Sequence, residues 1–279
     1  MFTLNCNGKI LNLNSAVVMG IINITPDSFF EGHLDKNESE LLLMAEKMIV
    51  DGASILDIGG QSTKPGSKRI DADEELKRVI PIIKTIRKKF PETIISIDTY
   101  YSKVAAQAIE SGADIVNDIS AGNLDEEMIP TVGKLKVPYI CMHMQGTPET
   151  MQLKPTYNNI TLEIIQFFIK KIEACRNAGI NDIVIDPGFG FGKTTEQNFI
   201  LLRELLSLKM LDCPILAGVS RKGMIYKTLE TTPENALNGT TVANTMALIN
   251  GAKILRVHDV KEAKEAITIF NAYHPNNLK

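Results

Sequence analysis

The chain has 279 residues, 44% of them hydrophobic and 23% charged, with a formal net charge of −3. That length suits one βα barrel of about 200–250 residues with a short extension, and the weak negative charge gives no global attraction for nucleic acid or an anionic membrane surface. Cys6, Cys141, Cys175 and Cys213 are scattered without a C-x-x-C pair, which fits reduced thiols. The N-terminus has no basic region followed by an apolar stretch, and no run of about 18 apolar residues occurs, so a cytoplasmic location is expected.

In chain order, Leu4–Leu13 with Asn7-Gly8 at its centre predicts a β-hairpin, laid before the first strand of a barrel and placed to plug its bottom. Eight short apolar, β-branched runs come next: Val17–Ile22, Ser54–Ile58, Thr93–Ile97, Asp114–Asn117, Val137–Met142, Asp182–Ile185, Pro214–Ala217 and Lys253–Val257. Helical period predicts helices near Ser39–Asp51, Asp73–Lys89, Ser102–Ser111, Asp125–Lys134, Asn159–Ala178, Thr195–Leu208, Pro233–Asn250 and Val260–Ala272. Gly52, Gly112, Gly179 and Gly251 each stand between a helix and the next strand, where a left-handed C-terminal cap is wanted. Such strand–helix repeats force right-handed parallel crossovers, and eight of them close most economically into a (βα)8 TIM barrel. One domain spanning 1–279 is expected, with 1–14 as its hairpin extension. A doubly wound open sheet would carry a glycine-rich turn after its first strand, and Asn23–Ser28 contains no glycine.

Catalytic groups of such barrels lie at the C-terminal ends of the strands. Here those ends supply Asn23, Thr25, Asp27 and Ser28; Asp57; Asp98 and Thr99; Asn117 and Asp118; His143 and Gln145; Asp186; Ser220, Arg221 and Lys222; and Arg256, His258 and Asp259. Asp259 is expected to cap the last helix. Asp57, Asp98 and Asp186 should point into the mouth, where Lys222 and Arg256 can balance them. Asp186–Lys193 (DPGFGFGK) is neither a Walker A loop nor a dinucleotide fingerprint, because the required glycines are replaced by Pro187 and Lys193 respectively. What remains is a tight turn whose Phe189 and Phe191 can wall a planar ligand. Arg256 and His258 alternate along one strand end, and barrel closure sets them beside Asn23 as a cradle for phosphate oxygens.

The ordered set MGIINITPDSF (Met19–Phe29), DIGGQSTKPG (Asp57–Gly66), SIDT (Ser96–Thr99), VNDI (Val116–Ile119), CMHMQG (Cys141–Gly146), DPGFGFGK, GVSRK (Gly218–Lys222) and RVHDV (Arg256–Val260) resembles the bacterial dihydropteroate synthases over essentially the whole chain. The resemblance implies a pterin-binding barrel that joins 7,8-dihydropterin-6-ylmethyl diphosphate to 4-aminobenzoate and releases diphosphate. It implies that Asp98, Asn117, Asp186 and Lys222 hydrogen-bond the pterin, with Met142 and Arg256 flanking the ring. Asn23, Arg256 and His258 would hold diphosphate, with Asn23 a ligand of Mg²⁺. Thr63, Lys64 and Pro65 would meet the aminobenzoate, Phe191 would form an apolar wall, and the loops after the first two strands would close as lids. A homodimer through late helices is also implied. Two departures stand out: Gln61 and Lys64 replace the usual Glu and Arg, and Gly223 replaces a common Ser, leaving its backbone N–H for the benzoate carboxylate. A corrinoid-type pterin methyltransferase and a non-catalytic pterin-binding protein are the alternatives.

Overall fold

The computed structural model describes residues 2–24, 34–61, 69–147, 150–151 and 155–274, with backbone only for 34–37. It opens on an antiparallel hairpin of β1 (Thr3–Cys6) and β2 (Lys9–Asn12). The turn residues Asn7 and Gly8 have φ of 53° and 91°, the two positive values that a tight hairpin turn demands. Eight strands then close a parallel barrel: β3 (Val17–Asn23), β4 (Ile55–Gly59), β5 (Ile94–Asp98), β6 (Ile115–Asp118), β7 (Tyr139–Met142), β8 (Ile183–Asp186), β9 (Ile215–Ala217) and β10 (Ala252–Val257). Closure pairs β10 with β3, Arg256 lying opposite Met19.

The helices are α1 (Leu34–Val50), α2 (Ala72–Lys89), α3 (Ser102–Glu110), α4 (Met128–Leu135), α5 (Ile160–Asn177), α6 (Thr195–Arg203), α7 (Gly223–Tyr226), α8 (Leu237–Ile249) and α9 (Val260–Tyr273). In α2, Asp71 caps the N-terminus by accepting from Glu74 N, and Leu76, Val79, Ile82, Ile83 and Ile86 are buried at helical spacing. The glycine joints follow the expected chemistry: Gly52, Gly112, Gly179 and Gly251 have φ between 87° and 112°. The helix expected over Thr195–Leu208 instead stops at Arg203 and continues as a 3-10 segment, Leu205–Leu211. Its tighter three-residue period buries Leu205 and Leu208 on one face. The short α7 is an addition to the expected helices, and α8 starts four residues later than the pattern predicts, at Leu237 rather than Pro233.

Side chains alternate across each strand, so every second residue faces the barrel interior. The lowest interior layer is Met19, Ile55, Ile94, Ile115, Ile140, Val184, Leu216 and Ile254, one residue from each strand. Leu4, Cys6, Leu11 and Leu13 of the hairpin segment pack into that layer from below, so the hairpin does plug the bottom. Asn5 N donates to Asp182 Oδ2 at 2.9 Å and Lys9 Nζ to Asp114 Oδ1 at 3.1 Å, which pins the hairpin to the loops beneath the barrel. The remaining apolar core lies between the strands and the helices. No described helix is long and apolar enough to cross a membrane.

Candidate active site

Two residues above the apolar layer, the same alternation brings Asp57, Ser96, Asn117, Met142, Asp186, Gly218 and Arg256 to the interior. Above them stand Asn23, Asp98 and His258. Arg256 organises the cluster. Its Nε donates to Asp57 Oδ2 at 2.6 Å and its Nη2 to Asp98 Oδ2 at 2.5 Å. Asn117 Nδ2 donates to the same Asp57 Oδ2 at 3.0 Å. Burial opposes the Arg256 charge, but the paired carboxylates of Asp57 and Asp98 outweigh it and raise its pKa. Asp98 is pushed up to about 7, first by burial, against Arg256 and with help from Asp57, Asp118 and Asp186. Burial sets the direction, and the neighbouring Asp57 carboxylate adds to it against the pull of the guanidinium.

Asp186 accepts from Gly188 N at 2.7 Å through Oδ1. Burial raises its pKa, opposed chiefly by Lys222. Lys222 in turn is lowered to about 8 by burial, opposed by Asp186. Its Nζ donates to the Phe189 carbonyl and lies 4.5 Å from the centroid of the Phe191 ring, a cation–π contact. Gly218 is where these groups converge: a Cβ there would sit 3.9 Å from Asp186 Oδ2, Lys222 Nζ and Arg256 Cβ alike. Glycine at that point leaves room for a flat ligand over the charged floor. Met142 and Phe191 belong to an apolar patch with Tyr100, Tyr101, Ile119, Leu124 and Met144, which walls one side.

At the rim, Asn23 ends β3 in an exposed position. A Cβ on Gly59 would lie 3.7 Å from Asn23 Oδ1 and 3.4 Å from Asp98 Cβ, so Asn23 stands directly above the floor. His258 is exposed, but its Nδ1 is 3.0 Å from Ser220 Oγ, and its backbone N–H donates to the same hydroxyl at 3.2 Å. The residue is exposed overall, but desolvation on the ring's inner side and then the Arg256 charge lower its pKa. Gly223 opens α7 directly after Lys222. Among the described residues no group of three or more His, Cys, Asp or Glu side chains is placed to hold a metal. Oxygen donors are nonetheless present at the rim in Asn23 and deeper in Asp57, whose buried Oδ1 has no hydrogen-bond partner among the described residues.

The structure thus brings together Asn23, Asp98, Asn117, Met142, Asp186, Phe191, Lys222, Arg256 and His258. Thr63, Lys64 and Pro65, like Thr25, Asp27 and Ser28, lie outside the described residues. Several polar strand ends do not face the mouth. Asp118 points outward and is consumed by Ser120, Gly122 and Tyr139. Asp259 does not cap α9 with its side chain; instead Arg221 binds it through Nε and Nη2, both at 2.8 Å. The bidentate guanidinium outcompetes a single backbone N–H. Two residues outside the candidate binding set take part: Asp57, which anchors Arg256, and Ser220, which orients His258. Both stand among the polar strand ends of the sequence, Asp57 as the end of an apolar run; what the sequence does not show is the partner of each. Gln61, at the departure from the usual Glu, is buried, and its Oε1 accepts from Ile70 N at 2.9 Å and from Tyr100 OH at 3.2 Å.

A barrel closed from parallel strands, with buried carboxylates and half-buried cations converging at its mouth, defines the class. A family profile described as pterin binding enzyme matches residues 19–258, and the chain belongs to that family. It is similar to the dihydropteroate synthase of Escherichia coli (strain K12), 40% identical over 267 residues that cover 95% of this chain and 94% of that protein. It is 44% identical to folic acid synthesis protein fol1 of Schizosaccharomyces pombe, where it spans 37% of the longer yeast protein. The structure of Xanthomonas albilineans dihydropteroate synthase in complex with 7,8-dihydropteroate matches with a TM-score of 0.86 and 34% identity, covering 98% of each chain.

Proposed function

We infer that this chain is a dihydropteroate synthase, a transferase of folate biosynthesis that condenses 7,8-dihydropterin-6-ylmethyl diphosphate with 4-aminobenzoate. The observation that carries the reading is the set of buried Asp57, Asp98, Asn117 and Asp186 with half-buried Lys222 and Arg256 inside a barrel of this family. In the reaction the arylamine nitrogen bonds to the pterin methylene, the methylene C–O bond to diphosphate breaks, and the amine proton passes to solvent. Carboxylates suit the N–H edge of an aminopyrimidinone, and Asn117 offers both donor and acceptor. Asp98 and Asp186 hold the pterin and stabilise positive charge developing at its methylene as the diphosphate leaves. Lys222 binds from the side of Phe189 and Phe191, and Met142 and Phe191 exclude water around the ring.

Asn23, Arg256 and His258 receive the diphosphate, with the imidazole as hydrogen-bond donor and Arg256 as the fixed cation. Mg²⁺ is the proposed cofactor, and Asn23 Oδ1 would be its protein ligand, a hard oxygen donor of the kind that ion takes. When bound, it would neutralise charge on the departing diphosphate. The Gly223 backbone N–H and residues Thr63, Lys64 and Pro65 are proposed for the aminobenzoate. A cytoplasmic location is proposed with this role. A homodimer is proposed through α8 and α9, which expose Val242, Met246, Ile249, Ile269 and Tyr273, the last three lining a shared groove; sedimentation at monomer mass at micromolar concentration would remove it.

The deciding assay supplies Mg²⁺, the pterin diphosphate and labelled 4-aminobenzoate to the folded protein. Labelled dihydropteroate and one diphosphate per turnover are expected. Folded protein that makes neither product is not this synthase, and the methyl-transfer and non-catalytic readings then stand in its place.

A further inference from the structure

We propose that Lys193 is a positioning residue for pterin binding: held beneath the glycine-rich turn, its amine fixes the backbone that presents Asp186 and Lys222 to the substrate. This rests on the reading that those two groups meet the pterin. Lys193 is 3% exposed, yet it bonds to carbonyl oxygens and an imidazole rather than to a carboxylate. Its Nζ donates to Gly188 O at 2.9 Å and Phe191 O at 3.0 Å, and lies 3.1 Å from His143 Nδ1 and 3.4 Å from His143 O. The lysine therefore ties two points of the turn to the exit of β7.

The turn needs such a tie. Gly188, Gly190 and Gly192 have φ of 69°, 82° and 62°, and glycine restrains its own backbone least of all residues. The turn is also pressed against its neighbour: a Cβ on Gly188 would lie 1.9 Å from His143 O, and one on Gly192 2.4 Å from Gln145 O. On the opposite flank, buried Asn198 accepts from Gly190 N at 2.7 Å and donates to Thr194 O at 2.7 Å.

The units that Lys193 holds are the ones the floor uses. Gly188 gives its carbonyl to Lys193 and its N–H to Asp186. Phe191 gives its carbonyl to Lys193 and its ring to Lys222, while Phe189 gives its carbonyl to Lys222. Displacing Nζ would therefore move both substrate-facing groups at once. A charge effect accompanies the geometry. Asp186 faces Lys222 from beyond β9, Arg256 from β10 and Lys193 from its own turn, and each of these cations holds its carboxylate down against burial.

The test compares wild type, Lys193→Met and Asn198→Ala. Calorimetric binding of the pterin diphosphate is followed against pH, with KM for both substrates. Lys193→Met keeps the buried stem and removes the amine. It should weaken pterin binding about tenfold or more and leave KM for 4-aminobenzoate within about twofold. It should also move the acid limb of pterin binding to higher pH, because Asp186 loses a nearby cation, while the Asp98 carboxyl across the barrel, governed by burial and Arg256, titrates on that limb in both proteins. Asn198→Ala loosens the turn without changing charge, so it should weaken pterin binding without moving the limb. If Lys193→Met does not fold, Asn198→Ala with unchanged pterin affinity overturns the proposal, as does folded Lys193→Met with wild-type affinity and limb. A folded wild type that binds no pterin removes the underlying reading instead.

Discussion

At its lower end the barrel interior holds Met19, Ile55, Ile94, Ile115, Ile140, Val184, Leu216 and Ile254 under the hairpin. Two residues up, the same strands carry Asp57, Ser96, Asn117, Asp186 and Arg256. One alternation of side chains builds both layers, and they answer to different costs. The apolar layer removes surface from water and stabilises in proportion to area. The polar layer buries charges whose desolvation is recovered only while every partner stays in place. The lower end can therefore lose a side chain and keep its chemistry, whereas the mouth cannot.

The largest effect that probes this contrast is Arg256→Ala. It would leave fully buried Asp57 and nearly buried Asp98 facing each other without their guanidinium. Breaking a buried pair this way costs about 3–5 kcal/mol of stability, and the lost anion contact should reduce kcat/KM by about 10²–10³-fold. Chemical denaturation and steady-state kinetics read the two losses. A variant as stable and active as wild type would show that Arg256 organises nothing.

Next in size is Leu13→Ala, which opens a cavity where the hairpin segment meets the lower layer. Loss of a fully buried leucine should cost about 2–5 kcal/mol. Per folded molecule, kcat/KM should stay within about twofold, since the polar layer above is untouched. A tenfold loss of activity at a temperature where the variant remains folded would mean that the two ends are coupled, and the contrast would fail.

The division between the ends also governs what the sequence could reveal. Eight β-branched runs and four glycine joints are local features, so the barrel was legible from them. Asp57, Asp98 and Asp186 were legible because they end apolar runs and the alternation turns them inward. Lys193 was not, since its partners are carbonyl oxygens and His143, 50 positions away, and carbonyls leave no mark in a sequence. Arg221 and Asp259, 38 positions apart, hid one another in the same way: without its distant partner the aspartate has the pattern of a helix cap. The break after Arg203 was illegible because Leu205 and Leu208 satisfy a helical and a 3-10 period equally well. Gln61 shows a third kind of gap. The change from Glu is plain in the sequence, but its amide oxygen joins Ile70 N and Tyr100 OH, holding together the two ends of the segment that contains Lys64.

The effect that is smallest at neutral pH is a slope with pH, and it separates the layers because only one of them titrates. His143 is buried beside Lys193, and burial first, then the lysine charge, lowers its pKa from 6.5 to about 2. A depressed imidazole is neutral in the folded chain while the unfolded chain takes up a proton below about pH 6.5. The unfolded state therefore binds more protons, and stability must fall as pH drops from 6.5 toward 2, by at most about 1.4 kcal/mol per pH unit from this one group. Asp98 acts with the opposite sign. Its carboxyl, raised from 3.8 to about 7, binds a proton in the folded state first, so its contribution falls as pH rises between those values. The two partly cancel between about pH 4 and 6.5, and His143 acts with Asp98 largely silent only below pH 4. His143→Asn retains a side-chain acceptor for Lys193 and removes the titration. Denaturation midpoints between pH 6.5 and 3 should therefore decline less steeply for the variant than for wild type, by about one proton at the acid end. Parallel curves would mean that His143 is protonated in the folded protein, with Lys193 neutral beside it.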